Sequence, residues 1–229
     1  WKRCVELTRG EEWIWLFSDD DLLSPNCVEL LNGELERKES TMYRFNRHII
    51  DQNGKFLAES SLPDCIGIAE FVEYALITSG SVTMPEFVFN RSLYNEYSIV
   101  PFPLAWGSDL ATWILYICRT KKLITVKDTF IYFRLSDTHI SGSRSKEILS
   151  EKFNADLLFL KWISQFSKKT NIDMRLRAIL VNAIDKRIWK LKKSEFMTAE
   201  MKIRLVITLA CVLTIKKTMR EAWNIFTKA

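Results

Sequence analysis

One stretch constrains the fold most: Trp13-Ile14-Trp15-Leu16-Phe17-Ser18-Asp19-Asp20-Asp21-Leu22-Leu23-Ser24-Pro25-Asn26. The apolar run Trp13 to Phe17 reads as a buried strand. Three carboxylates follow at once. Ser24-Pro25 then reads as an N-cap with proline in the first helical position. The acids are therefore expected in a strand-to-helix turn, outside the carboxyl end of a strand. In open α/β sheets ligands bind there, so the fold class is α/β.

Adjacent carboxylates repel one another, and a hard divalent cation relieves that repulsion, because Mg²⁺ and Mn²⁺ take oxygen ligands. In an extended segment Asp19 and Asp21 share one side and Asp20 points the other way. A solvated acidic turn that complements the next helix dipole is the competing reading of the same residues.

The rest of the first 145 residues alternates strands and helices. Gly10 reads as a C-terminal helix cap. Val28, Leu31 and Leu35 mark a helical face between Pro25 and about Lys38. Thr41 to Ile50 reads as a strand, Asn53-Gly54 as a hairpin turn and Lys55 to Ala58 as the return strand. A helix is expected from about Gly67 to Ile77 and a short strand over Phe87 to Phe89, with both phenylalanines in the core. Leu110, Trp113, Ile114 and Ile117 mark a buried helix face, capped by Ser108 with Asp109 in its first turn. Two further strands are expected, near Leu123–Val126 and Phe130–Arg134. Residues 146–229 read as a basic helical region with helices at 146–168, 173–193 and 198–226. In the middle helix Leu176, Leu180, Ile184, Ile188 and Leu191 share one face.

Trp13 to Pro25 resembles the Asp-x-Asp segment of family 2 glycosyltransferases, which have the GT-A (Rossmann-like nucleotide-diphospho-sugar transferase) fold. The resemblance implies a divalent metal, Mn²⁺ or Mg²⁺, held by Asp19 and Asp21 against the diphosphate of a nucleotide-sugar donor, with Asp20 beside the donor. An alternative alignment puts Ser18 at the first acid, so which two acids serve stays open. Trp106-Gly107-Ser108-Asp109, about 90 residues downstream and in family order, resembles the segment that carries the catalytic base. That implies Asp109 as the base, with Trp106, Gly107 and Ser108 near the acceptor. Trp106 would stack on a sugar ring or serve in the core. The stretch from Tyr132 to Ser143 is similar to the loop that closes such sites. Within it Arg134 and His139, and Arg144 just after it, would meet the donor's phosphates; a solvent-facing polar loop is the competing reading.

Family 2 domains normally place about three strand–helix units before the acids, and this chain has almost nothing there. The resemblance thus implies residues 1–145 as the C-terminal part of a GT-A domain, lacking the nucleotide-binding half. Two functions are compatible with it. One is metal-assisted, inverting transfer of a sugar to a hydroxyl of a cell-envelope or surface-polysaccharide acceptor in a bacterium. The other is a non-catalytic relic that binds glycan or protein.

Composition narrows the partners. The chain is 48% hydrophobic and 27% charged, ordinary for a globular protein. Its charge is uneven: residues 1–145 carry −5 and residues 146–229 carry +10, giving the overall +5. The basic helices read either as a solvated face or as a contact with an anionic membrane surface, which suits a lipid-linked acceptor. Acceptor docking and homodimer formation are the other roles open to them. No nucleic-acid-binding module is recognisable, so nucleic acid is not counted as a partner. Five cysteines without a Cys-x-x-Cys pair suit a reducing cytoplasm, with the protein free or peripheral on the inner face of the membrane.

Overall fold

The computed structural model describes residues 1–78, 80, 82–120, 122–135, 143, 145–169, 172–194 and 197–213, with Lys217, Glu221 and Ile225. In chain order its elements are α1 (Lys2–Glu6), β1 (Trp13–Trp15), β2 (Leu22–Leu23), α2 (Cys27–Arg37), β3 (Met42–Ile50), β4 (Phe56–Ser60) and β5 (Cys65–Ile66). Then come α3 (Ile68–Val72), β6 (Phe87–Asn90), α4 (Arg91–Tyr97), α5 (Ser108–Thr120), β7 (Leu123–Arg134), α6 (Lys146–Lys169), α7 (Met174–Lys192) and α8 (Ala199–Val212). A π-helical turn, Glu73–Ile77, continues α3, and 3₁₀ turns span Met84–Glu86 and Pro103–Ala105. The chain divides into two compact units. One holds Trp1–Pro101 and Ser108–Gly142; the other holds Phe102–Gly107 and Ser143–Ala229.

The first unit is a mixed sheet in the order β1-β6-β3-β7-β2, with β4 also on β3 and β5 also on β7. β6 runs antiparallel to both β1 and β3, whereas β3 and β7 are parallel. β1, β3 and β7 therefore point the same way; β3 and β7 end together, Ile50 opposite Arg134, whereas β1 ends level with Tyr43 near the start of β3. Alternation along β6 separates two packing groups. Val88 joins Tyr43, Phe45, Ile124, Val126 and Ile131 in a core covered by Cys27 and Leu31 of α2. Phe87 and Phe89 turn the other way, against Trp113 and Tyr116 of α5.

Local chemistry departs from the sequence-based expectations at several points. Ser24 is not a helix cap. Its hydroxyl donates to the Phe130 carbonyl (2.7 Å) and accepts from the Phe130 N–H (2.9 Å), which ties β2 to β7. The helix starts two residues after Pro25, so Val28 is exposed. Gly10, at φ 108°, lies four residues beyond α1 and turns the chain rather than capping it. The two strands expected after α5 are one, β7. Its pairing with β3 jumps from Phe45–Val126 to Asn46–Phe130, and Asp128 sits at φ 58° inside the bulge.

The second unit packs α7 and α8 on α6. Asp173 caps α7 by accepting from the Leu176 N–H, and Thr198 caps α8 by accepting from the Met201 N–H. The expected face of α7, Leu176 to Leu191, is buried throughout. The third helix is interrupted: Leu213 is extended (φ −107°, ψ 169°), and Lys217, Glu221 and Ile225 are helical again beyond it. Among the described residues no helix is long and apolar enough to cross a membrane.

Candidate active site

The end of β1 is held by its aromatic residues. Trp15 stacks on Phe45 (4.7 Å, 4° between planes), and its indole N–H donates to the Pro85 carbonyl (2.7 Å). Beyond it Asp19 and Asp20 form a turn rather than an extended run, so the period-two argument for Asp19 and Asp21 does not apply. Asp19 is exposed, Asp20 half-buried and Asp21 only 6% exposed.

Arg134, the last residue of β7, organises this turn. Its backbone N–H donates to Asp21 Oδ1 (2.9 Å) and its Nε to the Asp20 carbonyl (3.0 Å). Its Nη1 donates to the carbonyls of Asp51 (3.3 Å) and Gln52 (2.9 Å), in the hairpin after β3. The acidic turn, that hairpin and the end of β7 are thus pinned together where β3 and β7 finish. The guanidinium proposed for phosphate already binds main-chain oxygens. His139 and Arg144 lie outside the described residues.

Asp109 is in the first turn of α5, half-buried, with Oδ1 accepting the Leu110 N–H (2.8 Å). That bond satisfies one of the donors a helix start leaves without an intrahelical partner. Ser108 is the first residue of α5 rather than its cap, and is 2% exposed. The direction of α5 follows from its rings. Trp113 stacks on Phe87 (4.7 Å), whereas Tyr116, one turn on, meets Phe89 (5.4 Å). Phe87 lies opposite Arg44 and Phe89 opposite Met42, so α5 runs toward the start of β3. The chain then enters β7 where Ile124 pairs with Tyr43. α5 is therefore antiparallel to β3 and β7. Its N-terminal turn, with Asp109, lies on the side of Trp113 toward the ends of β3 and β7.

Trp106 and Gly107 belong to the helical unit. The Trp106 indole N–H donates to Asp156 (3.2 Å), and Lys152 Nζ sits 4.7 Å from the ring centre. Asp156 also pairs with Arg187. Burial pushes the Lys152 ammonium below the ordinary lysine value, with Asp156 opposing the shift. This anchorage holds an unusual turn: Leu104 (φ 55°) and Ala105 (φ 54°) are both left-handed, and Gly107 (φ 78°) needs to be glycine.

Sequence reasoning missed the buried group behind the sheet. Glu86 accepts from Arg44 and from Arg47 (3.0 Å each), and all three are 0–1% exposed. Glu86 also accepts the Thr83 N–H (2.7 Å), completing a capping box. The spacing Thr83-x-x-Glu86 was the available signal.

The acidic turn offers hard carboxylate oxygens, the donor type that Mg²⁺ and Mn²⁺ take, and Mg²⁺ commonly completes its shell with water and substrate phosphate. Among the described residues no group of three or more His, Cys, Asp or Glu is clustered as a ligand set. The acids alone therefore do not make an all-protein metal cage.

No family model and no curated protein matches the chain. Solved structures do. S. aureus TarS 1–349 in complex with UDP-GlcNAc aligns with a TM-score of 0.66 at 11% identity, over 98% of this chain and 68% of that one. A second crystal structure of S. aureus TarS 1–349 aligns with a TM-score of 0.60 at 11% identity, over 98% of this chain and 67% of that one. At that identity the likeness shows the fold alone, which is GT-A-like: a curled α/β sheet with helices.

Proposed function

We propose that the chain acts as a family 2 type glycosyltransferase and supplies its metal- and acceptor-side residues. It moves a sugar from a nucleotide-sugar to a hydroxyl of a glycan acceptor, with inversion. One observation supports this reading: in a GT-A-like sheet, the acidic turn is held at the ends of β3 and β7, and α5 starts, with Asp109, on the side of Trp113 toward those ends. The complex of the structural neighbour TarS with UDP-GlcNAc supports a nucleotide-sugar as donor.

Asp19 and Asp21 would hold the divalent cation, with Asp20 toward the donor. The hydrogen bond from Arg134 N–H to Asp21 orients that carboxylate, as a metal-binding carboxylate requires. Bound there, the cation would supply positive charge to the departing diphosphate. Asp109 takes the proton from the acceptor hydroxyl as that oxygen attacks the anomeric carbon. Attack opposite the leaving group needs one base and inverts the centre. Arg134 keeps the turn in place; its role is to position the acids.

The test is calorimetric titration of UDP into the protein with and without Mn²⁺. Binding that requires Mn²⁺ and falls at least about tenfold in Asp21→Asn is expected for a charge-assisted site. Binding of UDP that ignores both the metal and the substitution overturns the metal assignment. Absence of UDP binding both with and without Mn²⁺ favours the glycan- or protein-binding relic instead.

A further inference from the structure

We propose that the outer face of α8, with the adjoining part of α6, docks on an anionic lipid surface. A helix on a globular core buries one face and shows water a polar one. α8 departs from this. Met201, Leu205 and Leu209 are buried, yet Ile203 and Ile207 stand 52% and 57% exposed on its other side. Ala210 and Cys211 continue that exposed side, and Glu200 is the acid at its N-terminal end. On α6, Leu158 is 42% exposed and lines a groove of about 210 Å³ together with Ile207.

The same groove is lined by Lys161 and Arg204, and neither forms an ion pair among the described residues. Apolar side chains one helical turn apart, with cations beside them, match an anionic phospholipid surface. The headgroup phosphate meets the two cations, and the isoleucines enter the acyl boundary. A second copy of the chain is a poor occupant, because residues 146–229 carry +10 and would meet their like. The proposal does not depend on whether the strand-edge acids hold a metal.

Co-sedimentation of the full chain with vesicles tests it, comparing phosphatidylcholine alone with phosphatidylcholine containing phosphatidylglycerol. Binding to the anionic vesicles alone is expected, weakening at high salt. Lys161→Gln with Arg204→Gln should lower partitioning about 25-fold, about fivefold per charge. Ile203→Gln with Ile207→Gln keeps good helix formers and should lower it at least about tenfold. Arg177→Gln with Lys190→Gln, exposed positions on α7, should change it less than about twofold. No binding to anionic vesicles overturns the proposal. So does an equal loss from the α7 pair, which would mean attraction by overall charge. A dimer in sedimentation equilibrium that the isoleucine variant dissociates, with vesicle binding unchanged, assigns the face to a second copy and also overturns it.

Discussion

Arg134 reads as a phosphate ligand by residue type, yet its donors reach the main chain of Asp20, Asp51 and Gln52. Carbonyl acceptors carry no residue-type signature, so no spacing in the sequence could reveal them. Asp109 is different: a carboxylate just inside a helix start, after a glycine turn, is visible in the residues. If it is the base, Asp109→Asn lowers kcat by about 10²–10⁴-fold and leaves UDP affinity within about twofold. Steady-state kinetics beside calorimetry separates the two quantities, and equal losses would contradict the role. A third residue-scale expectation concerns Tyr116, whose hydroxyl donates to the Ser98 carbonyl (3.1 Å). Burial raises its pKa above the ordinary tyrosine value. The folded protein then keeps a proton that the unfolded chain releases above about pH 10. Stability present below that pH is lost as pH climbs further, by at most about 1.4 kcal/mol per pH unit. Tyr116→Phe should flatten that part of the curve in urea melts on either side of about pH 10.

At the scale of elements, periodicity found the helices well and the strands less well. The face of α7 was legible because five large apolar side chains recur at helical spacing and all are buried. β7 was not, because Lys127-Asp128 interrupts the apolar pattern where the strand bulges and Asp128 turns left-handed. A bulge is decided by the partner strand, and local sequence reports it poorly. The Arg44–Glu86–Arg47 group illustrates a similar limit. Arginines three apart in a strand suggest solvent or two faces, yet both reach one carboxylate across an irregular stretch of pairing. Removing the shared acid takes away the carboxylate that both buried cations meet. Glu86→Gln is therefore expected to destabilise the protein by about 3–5 kcal/mol, read as a lower urea midpoint with unchanged slope.

For the whole molecule, the α/β class followed from one strand–acid–helix stretch, while strand order could not be read. β6 lies between β1 and β3 although it follows both by tens of residues, and long-range packing holds it there, Phe87 and Phe89 against α5 and Val88 in the core under α2. The division into a sheet unit and a helical unit has an energetic consequence. Leu180 is fully buried within the apolar face of α7. Leu180→Ala removes side-chain volume from that core and should cost about 2–5 kcal/mol there. The acids, Arg134 and Asp109 all belong to the sheet unit, whose core is built from α2, α5 and the strands. If that core sustains the donor site by itself, the variant melts earlier by calorimetry, with the loss confined to the helical amide signals in hydrogen exchange. Its Mn²⁺-dependent UDP affinity stays within about twofold of the parent, because no group that binds the donor has lost a neighbour. A parallel loss of UDP affinity would show instead that the helices hold the sheet edge in its working shape.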